Sequence, residues 1–126
     1  MTAILLVEDD PLKASLMMSL LKRRFDDVRR ATDASEALCL IEQPEFAGKL
    51  CLVISGHHTR GIGGRAFVAE LHARMPALPV LVLGAAGEAA CDYADEHVTF
   101  LPHPAASEEI LTLTSRMVSQ DKNAAA

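Results

Sequence analysis

The stretch Ala3-Ile4-Leu5-Leu6-Val7-Glu8-Asp9-Asp10-Pro11 decides the fold. Five consecutive apolar residues leave no polar face, as expected of a strand covered on both sides of a sheet. The run then ends in three carboxylates. Acids are costly to bury unpaired, so this strand should emerge at the rim of a site. Asp10 followed by Pro11 reads as the N-cap and first residue of a helix. Leu12, Leu16, Leu20 and Leu21 form the stripe that helix is expected to bury.

Working outward, strand-like runs recur at residues 50–54, 79–83 and, more weakly, 98–101, with a short candidate at 28–31. Helical patterns lie between them. Asp33 with Glu36 three residues on resembles a capping box, and Ala34, Ala37, Leu38 and Ile41 share one face. Phe67, Val68, Leu71 and Met75 mark another helix, stopped before Pro76. Residues 87–94 can make a short one. Ser107 can cap the last, with Ile110, Leu113 and Met117 inward. Strands alternating with helices five times imply an α/β fold: a doubly wound, five-stranded parallel sheet with helices on both faces. Such sheets bind ligands at the carboxyl ends of their strands. Residues 1–119 form the expected domain, and 120–126, without apolar period, read as a linker or disordered tail.

With 126 residues, half of them apolar, the chain can bury one core. A net charge of -5 and a pI near 5.4 argue against direct nucleic-acid binding. Lys22, Arg23, Arg24, Arg29 and Arg30 make a local basic cluster, either a solvated helix end or a dock for an acidic partner. No stretch has the layout of a signal peptide, and no apolar run approaches membrane-spanning length. Cys39, Cys51 and Cys91 lie in apolar segments without the close pairing of a zinc site. They read as reduced core thiols of a cytoplasmic protein.

Four segments in order carry a resemblance. They are Ile4-Leu5-Leu6-Val7-Glu8-Asp9-Asp10-Pro11; Leu52-Val53-Ile54-Ser55-Gly56-His57-His58-Thr59-Arg60-Gly61-Ile62-Gly63-Gly64; Pro79-Val80-Leu81-Val82-Leu83-Gly84-Ala85; and Phe100-Leu101-Pro102-His103-Pro104. Together they resemble the receiver domain of bacterial two-component response regulators, a flavodoxin-like fold, over nearly the whole chain. The resemblance implies an aspartate after the third strand that takes a phosphoryl group from a histidine kinase. It also implies two acids that help hold Mg²⁺, a hydroxyl after the fourth strand, and a lysine ending the fifth.

Glu8 and Asp9 match the metal-binding acids. The phosphoacceptor position falls on Gly56, the hydroxyl position on Gly84 and the lysine position on His103, followed by the expected Pro104. The aromatic switch position falls on Phe100, which lacks a hydroxyl. Without a carboxylate at 56 there is no oxygen nucleophile and one Mg²⁺ ligand fewer, so Mg²⁺ binding is expected to be weak or absent and no cofactor is implied. The resemblance is therefore to a degenerate, non-phosphorylatable receiver (a pseudo-receiver).

Ser55 is a conceivable substitute acceptor, but strand alternation should turn it from the side facing position 56. His57 and His58 lack an evident activator. A transition metal held by Glu8, Asp9, His57, His58 and His103 is a further alternative, as is a plain His103–Asp9 contact. Gly61 and Gly64 suit a tight turn, whereas Gly56 and Gly63 exceed what the turn needs. The stretch between Gly84 and His103 is shorter than the resemblance leads one to expect, which puts any familiar homodimer geometry in question.

The implied function is non-enzymatic signal transduction through protein–protein contact, with a protein partner or a fused output domain, commonly transcriptional in this family. The alternative is a small-ligand or metal sensor using the emptied acidic and histidine pocket. No nucleophile–base pair or phosphate-binding loop supports an enzyme.

Overall fold

The computed structural model describes residues 3–56, 64–85, 97–103 and 106–125, the side chains of 64, 85, 102, 103 and 120–125 excepted. Strands β1 (Ala3–Val7), β2 (Asp27–Ala31), β3 (Leu50–Gly56), β4 (Val80–Ala85) and β5 (Val98–His103) form one parallel sheet in the order β2-β1-β3-β4-β5. The helices are α1 (Pro11–Leu21), α2 (Ala34–Ile41), α3 (Pro44–Ala47), α4 (Gly64–Arg74) and α5 (Ser107–Ala125). The doubly wound sheet expected from the alternation of elements is the observed one.

The sheet separates two cores. Ala3, Leu5, Val7, Val53, Val80 and Val82 face Ala34, Ala37 and Ile41 of α2, Phe46 of α3, and Phe67, Val68 and Leu71 of α4. Ile4, Leu6, Leu52, Ile54, Leu81 and Leu83 face Leu21 of α1 and Met117 and Val118 of α5. Burial of one such aliphatic side chain stabilises by roughly 1.5–3 kcal/mol, against about 0–1 kcal/mol for an exposed ion pair. These cores therefore set the fold, and the ion pairs of Arg23 and Arg24 with Glu108, at 4.0 and 3.9 Å on exposed side chains, contribute little. Between β1 and β3 the register skips Cys51: Ala3 pairs with Leu50 and Ile4 with Leu52. The Cys51 thiol donates to the Ala3 carbonyl at 3.3 Å, which satisfies an acceptor at the irregularity.

The caps follow the sequence. Asp10 Oδ1 accepts from the N–H groups of Leu12 (2.9 Å) and Lys13 (3.4 Å), and Asp33 Oδ1 from that of Glu36 (2.9 Å). Other expectations need correction. Leu12 and Leu16 are 69% and 65% exposed, and α1 instead buries Ala14 and Leu21, with Met17, Met18 and Leu20 half-buried. Apolar residues occur on every side of α1, so periodicity alone does not select the buried face, which is that of Ala14 and Leu21. Ser107 is the first residue of α5, and the Ala106 carbonyl accepts the first helical bond, from Ile110 N–H at 3.1 Å. Cys39 is exposed, Cys51 is buried, and Cys91 lies outside the described residues, as does the helical pattern at 87–94. The α5 backbone stays helical to Ala125, through the segment read from sequence as a tail. No helix among the described residues is long and apolar enough to cross a membrane.

Candidate functional site

Register brings the singled-out positions to one edge of the sheet. Val7, the last residue of β1, pairs with Ser55, so Glu8 leaves β1 level with Gly56; Gly56 in turn pairs with Leu83. One residue on, Gly84 pairs with Pro102, and Ala85 with His103. Glu8, Asp9, Gly56 and Gly84 all border one cavity of about 990 Å³. From this acidic end the cavity runs along α1, past Lys13, Leu16, Met17, Leu20 and Arg23, and reaches Ser107 and Ile110 of α5.

The acidic turn is held from below. Arg30, on β2, donates from Nε and Nη2 to the Glu8 carbonyl at 3.1 and 3.0 Å, and from Nη2 to the Asp9 carbonyl at 3.4 Å. The Glu8 N–H donates to the Ala31 carbonyl at 3.0 Å, and the Asp10 N–H donates to Glu8 Oε2 at 3.1 Å. Arg30 thus holds the main chain of the turn through its carbonyl oxygens. The basic cluster of the sequence is correspondingly dispersed. Arg23 and Arg24 reach Glu108, Arg29 lies 4.9 Å from the Phe46 ring centroid, and Arg30 serves the acidic turn.

Burial pushes the Glu8 carboxyl above its ordinary value of 4.5; the neighbouring Asp9 carboxyl adds to the rise, while the Asp10 N–H and Lys13 oppose it. A carboxyl with a higher pKa folded than unfolded favours the fold while protonated and opposes it as pH rises through the folded value. Glu8→Gln should therefore raise Tm at pH 7, by roughly 1–2 °C once solvent screening is allowed for. The gain should vanish below pH 4.5, where Glu8 is protonated in both states. Thermal melts of the two proteins across this range check the sign, and a wild type that gains relative stability with rising pH would contradict it.

Phe100 is half-buried and packs with the core shared by α2 and α4, across the sheet from α1 and α5. The structure therefore does not bring it together with the cavity residues. His103 ends β5, but its side chain, like all of His57, His58, Gly61 and Gly63, lies outside the description, and the His103–Asp9 contact with it. Among the described residues no three His, Cys, Asp or Glu side chains group as metal ligands. Ser55 is buried, and its hydroxyl donates to the Gly56 carbonyl at 3.1 Å.

Sequence reasoning missed the Arg30 clamp and the part of the cavity along α1. A signal for the second was present: Leu12, Leu16, Met17, Met18 and Leu20 supply more apolar surface than one buried stripe requires.

No family model matches the chain, and no curated protein matches it significantly. Solved structures do. A response regulator receiver domain protein from Clostridium thermocellum superposes with a TM-score of 0.86 at 18% identity, over 97% of this chain and 98% of that one. The receiver domain of the hybrid histidine kinase CckA gives 0.76 at 28% identity, over 92% and 98%. A probable two-component response regulator/GGDEF domain protein gives 0.83 at 22%, over 96% of this chain and 50% of that one. The fold is the flavodoxin-like fold of receiver domains.

Proposed function

We propose that this chain is a degenerate receiver: a signalling module that works by contact with a protein partner or a fused output domain, without phosphorylation of an aspartate. The observation that carries this reading is Gly56. It ends β3 at the rim shared with Glu8 and Asp9, where the resemblance calls for the phosphoacceptor, and it has no side chain. Gly84, buried on the next strand, removes the hydroxyl that would contact a phosphoryl group. The remaining acids supply two carboxylates, fewer oxygen ligands than Mg²⁺ prefers from such a site. Receiver folds occur in the hybrid kinase and joined to a GGDEF domain among the similar structures, which supports a role inside a longer signalling chain. Regulation of a transcriptional output from the cytoplasm, non-enzymatic and without a cofactor, is part of the same proposal, as is self-association in place of a phosphorylation-driven switch.

The test is incubation with acetyl phosphate and Mg²⁺, read by intact mass and by the amide NMR spectrum. The expected result is an unchanged mass and unmoved Gly56 and Gly84 amides. A stoichiometric gain of one phosphoryl group, with shifts at these amides, would show a substitute acceptor and end the proposal.

A further inference from the structure

The outward face of α1 carries an apolar ridge, and the sequence on either side of that ridge is complementary to itself. Leu12 and Leu16 are the exposed large hydrophobic residues among those described. They stand one helical turn apart, and half-buried Leu20 lies one turn further on, so the three share one side of the helix. Contiguous apolar surface rimmed by polar residues marks a contact site. Leu16 is the midpoint of α1. Outward from it, the chain repeats in hydropathy and reverses in charge: Leu12 mirrors Leu20, Asp10 mirrors Lys22, Asp9 mirrors Arg23 and Glu8 mirrors Arg24. Both triplets are held to the helix ends. Asp10 caps the start, and at the other end the N–H groups of Lys22 and Arg23 donate to the Met18 and Leu20 carbonyls at 2.9 and 3.2 Å.

We infer that this face binds a second copy of the chain, the two α1 helices packing antiparallel across a two-fold axis at Leu16. A two-fold interface brings each pair of residues together twice, i against j and j against i. With Leu16 on the axis, Leu12 meets the partner's Leu20, and the acidic triplet meets the partner's basic one at both ends. A parallel pairing would set like triplets together instead. Neither end is of one sign alone: Lys13 and Arg30 lie beside the acidic triplet, and Glu108 lies 4.0 and 3.9 Å from Arg23 and Arg24. The charges therefore fix orientation and register and add little affinity, as exposed pairs do. Affinity comes from the leucines, whose surface leaves water on contact, with Met17 and Ile110 at the adjoining cavity mouth widening the apolar area. An 11-residue helix is only about 16 Å long, so the interface is small and the dimer weak.

This inference rests on the self-association named in the function proposed above and gives it a surface, but it is read by a separate measurement. The full chain is followed by sedimentation equilibrium from micromolar to millimolar concentration at low salt, with amide shifts recorded over the same series. The mean mass should climb reversibly from 13.5 kDa toward twice that value, with shifts concentrated at Leu12, Leu16 and Leu20. Leu16→Ser, on an exposed position, should weaken the dimer by at least about tenfold. Asp9→Arg and Arg23→Glu, both on exposed residues, should each weaken self-association several-fold. Their equimolar mixture should recover wild-type association as a heterodimer, a result that loss of fold in either variant could not give. A chain that is monomeric at every concentration overturns the inference and leaves the ridge to a different protein. A dimer that Leu16→Ser does not weaken overturns it, as does a mixture of the two charge variants that associates no more tightly than either alone. A monomer that takes no phosphoryl group keeps the degenerate receiver and loses this inference, whereas a dimer that takes one does the reverse.

Discussion

Gly56→Asp should return to this chain the two properties its rim lacks, a phosphoryl acceptor and a usable Mg²⁺ site. The substitution places a third carboxylate level with Glu8, on a residue that borders the cavity. Mg²⁺ takes oxygen ligands and gives up its own water reluctantly, so the step from two carboxylates to three matters most for it. Affinity should rise by at least about tenfold, equivalent to roughly 1.4 kcal/mol. With Mg²⁺ and acetyl phosphate, the variant should gain one phosphoryl group by mass where the wild type gains none. The conformational response should stay small, because Gly84 still offers no hydroxyl to the new group. Adding Gly84→Thr should enlarge the amide shifts of β4 without changing the mass result. A Gly56→Asp protein that folds, yet binds Mg²⁺ no better than wild type and takes no phosphoryl group, would mean that the rim has lost its geometry as well as its nucleophile.

Arg30→Ala is expected to be the most damaging substitution of a polar side chain near the site. Its guanidinium makes three bonds to two carbonyls of a turn that has few other ties. Hydrogen bonds from a charged donor are worth about 1.5–3 kcal/mol, and Arg30 is only half-buried, so a loss of about 2 kcal/mol is expected. For a chain of this size that is a fall in Tm of roughly 6–8 °C. Arg30→Lys should recover part of it, since an ammonium can meet one carbonyl but cannot reproduce the fork. The Glu8 and Asp9 amides should move in both variants. Melting temperatures equal to wild type would show that the clamp contributes nothing and that the turn is held by the Ala31 and Asp10 bonds alone.

Much of the fold was legible because its signals are local. The continuous apolar run of β1, the Asp10-Pro11 start of α1 and the Asp33 cap each depend on residues within one turn. The rim was legible for the same reason: Glu8 and Asp9 follow β1 directly, and the register carries Gly56 and Gly84 beside them. The orientation of α1 was not. Apolar residues lie on every side of it, so the periodicity that would have separated Ala14 from Leu16 is missing. Arg30 was missed because its partners are 21 and 22 residues earlier in sequence. Nothing in an isolated β2 arginine says which carbonyls it will find. Phe100 was assigned correctly to β5, but the side of the sheet it packs against became visible only with the two cores in view.

The seating of α5 has a mechanical consequence. Met117 and Val118 are buried in the core it shares with α1, whereas Ser107 and Ile110, at its start, touch the cavity. The helix is a rod of about 28 Å, and Ile110, Leu111, Thr114, Met117 and Val118 are buried along it. Its seat is thus a line of contacts from the cavity end onward, not a single point. A rod held along its length moves as one body, so the cavity rim and the far end of the sheet share a stiff connection made of side chains that the phosphoryl chemistry never required.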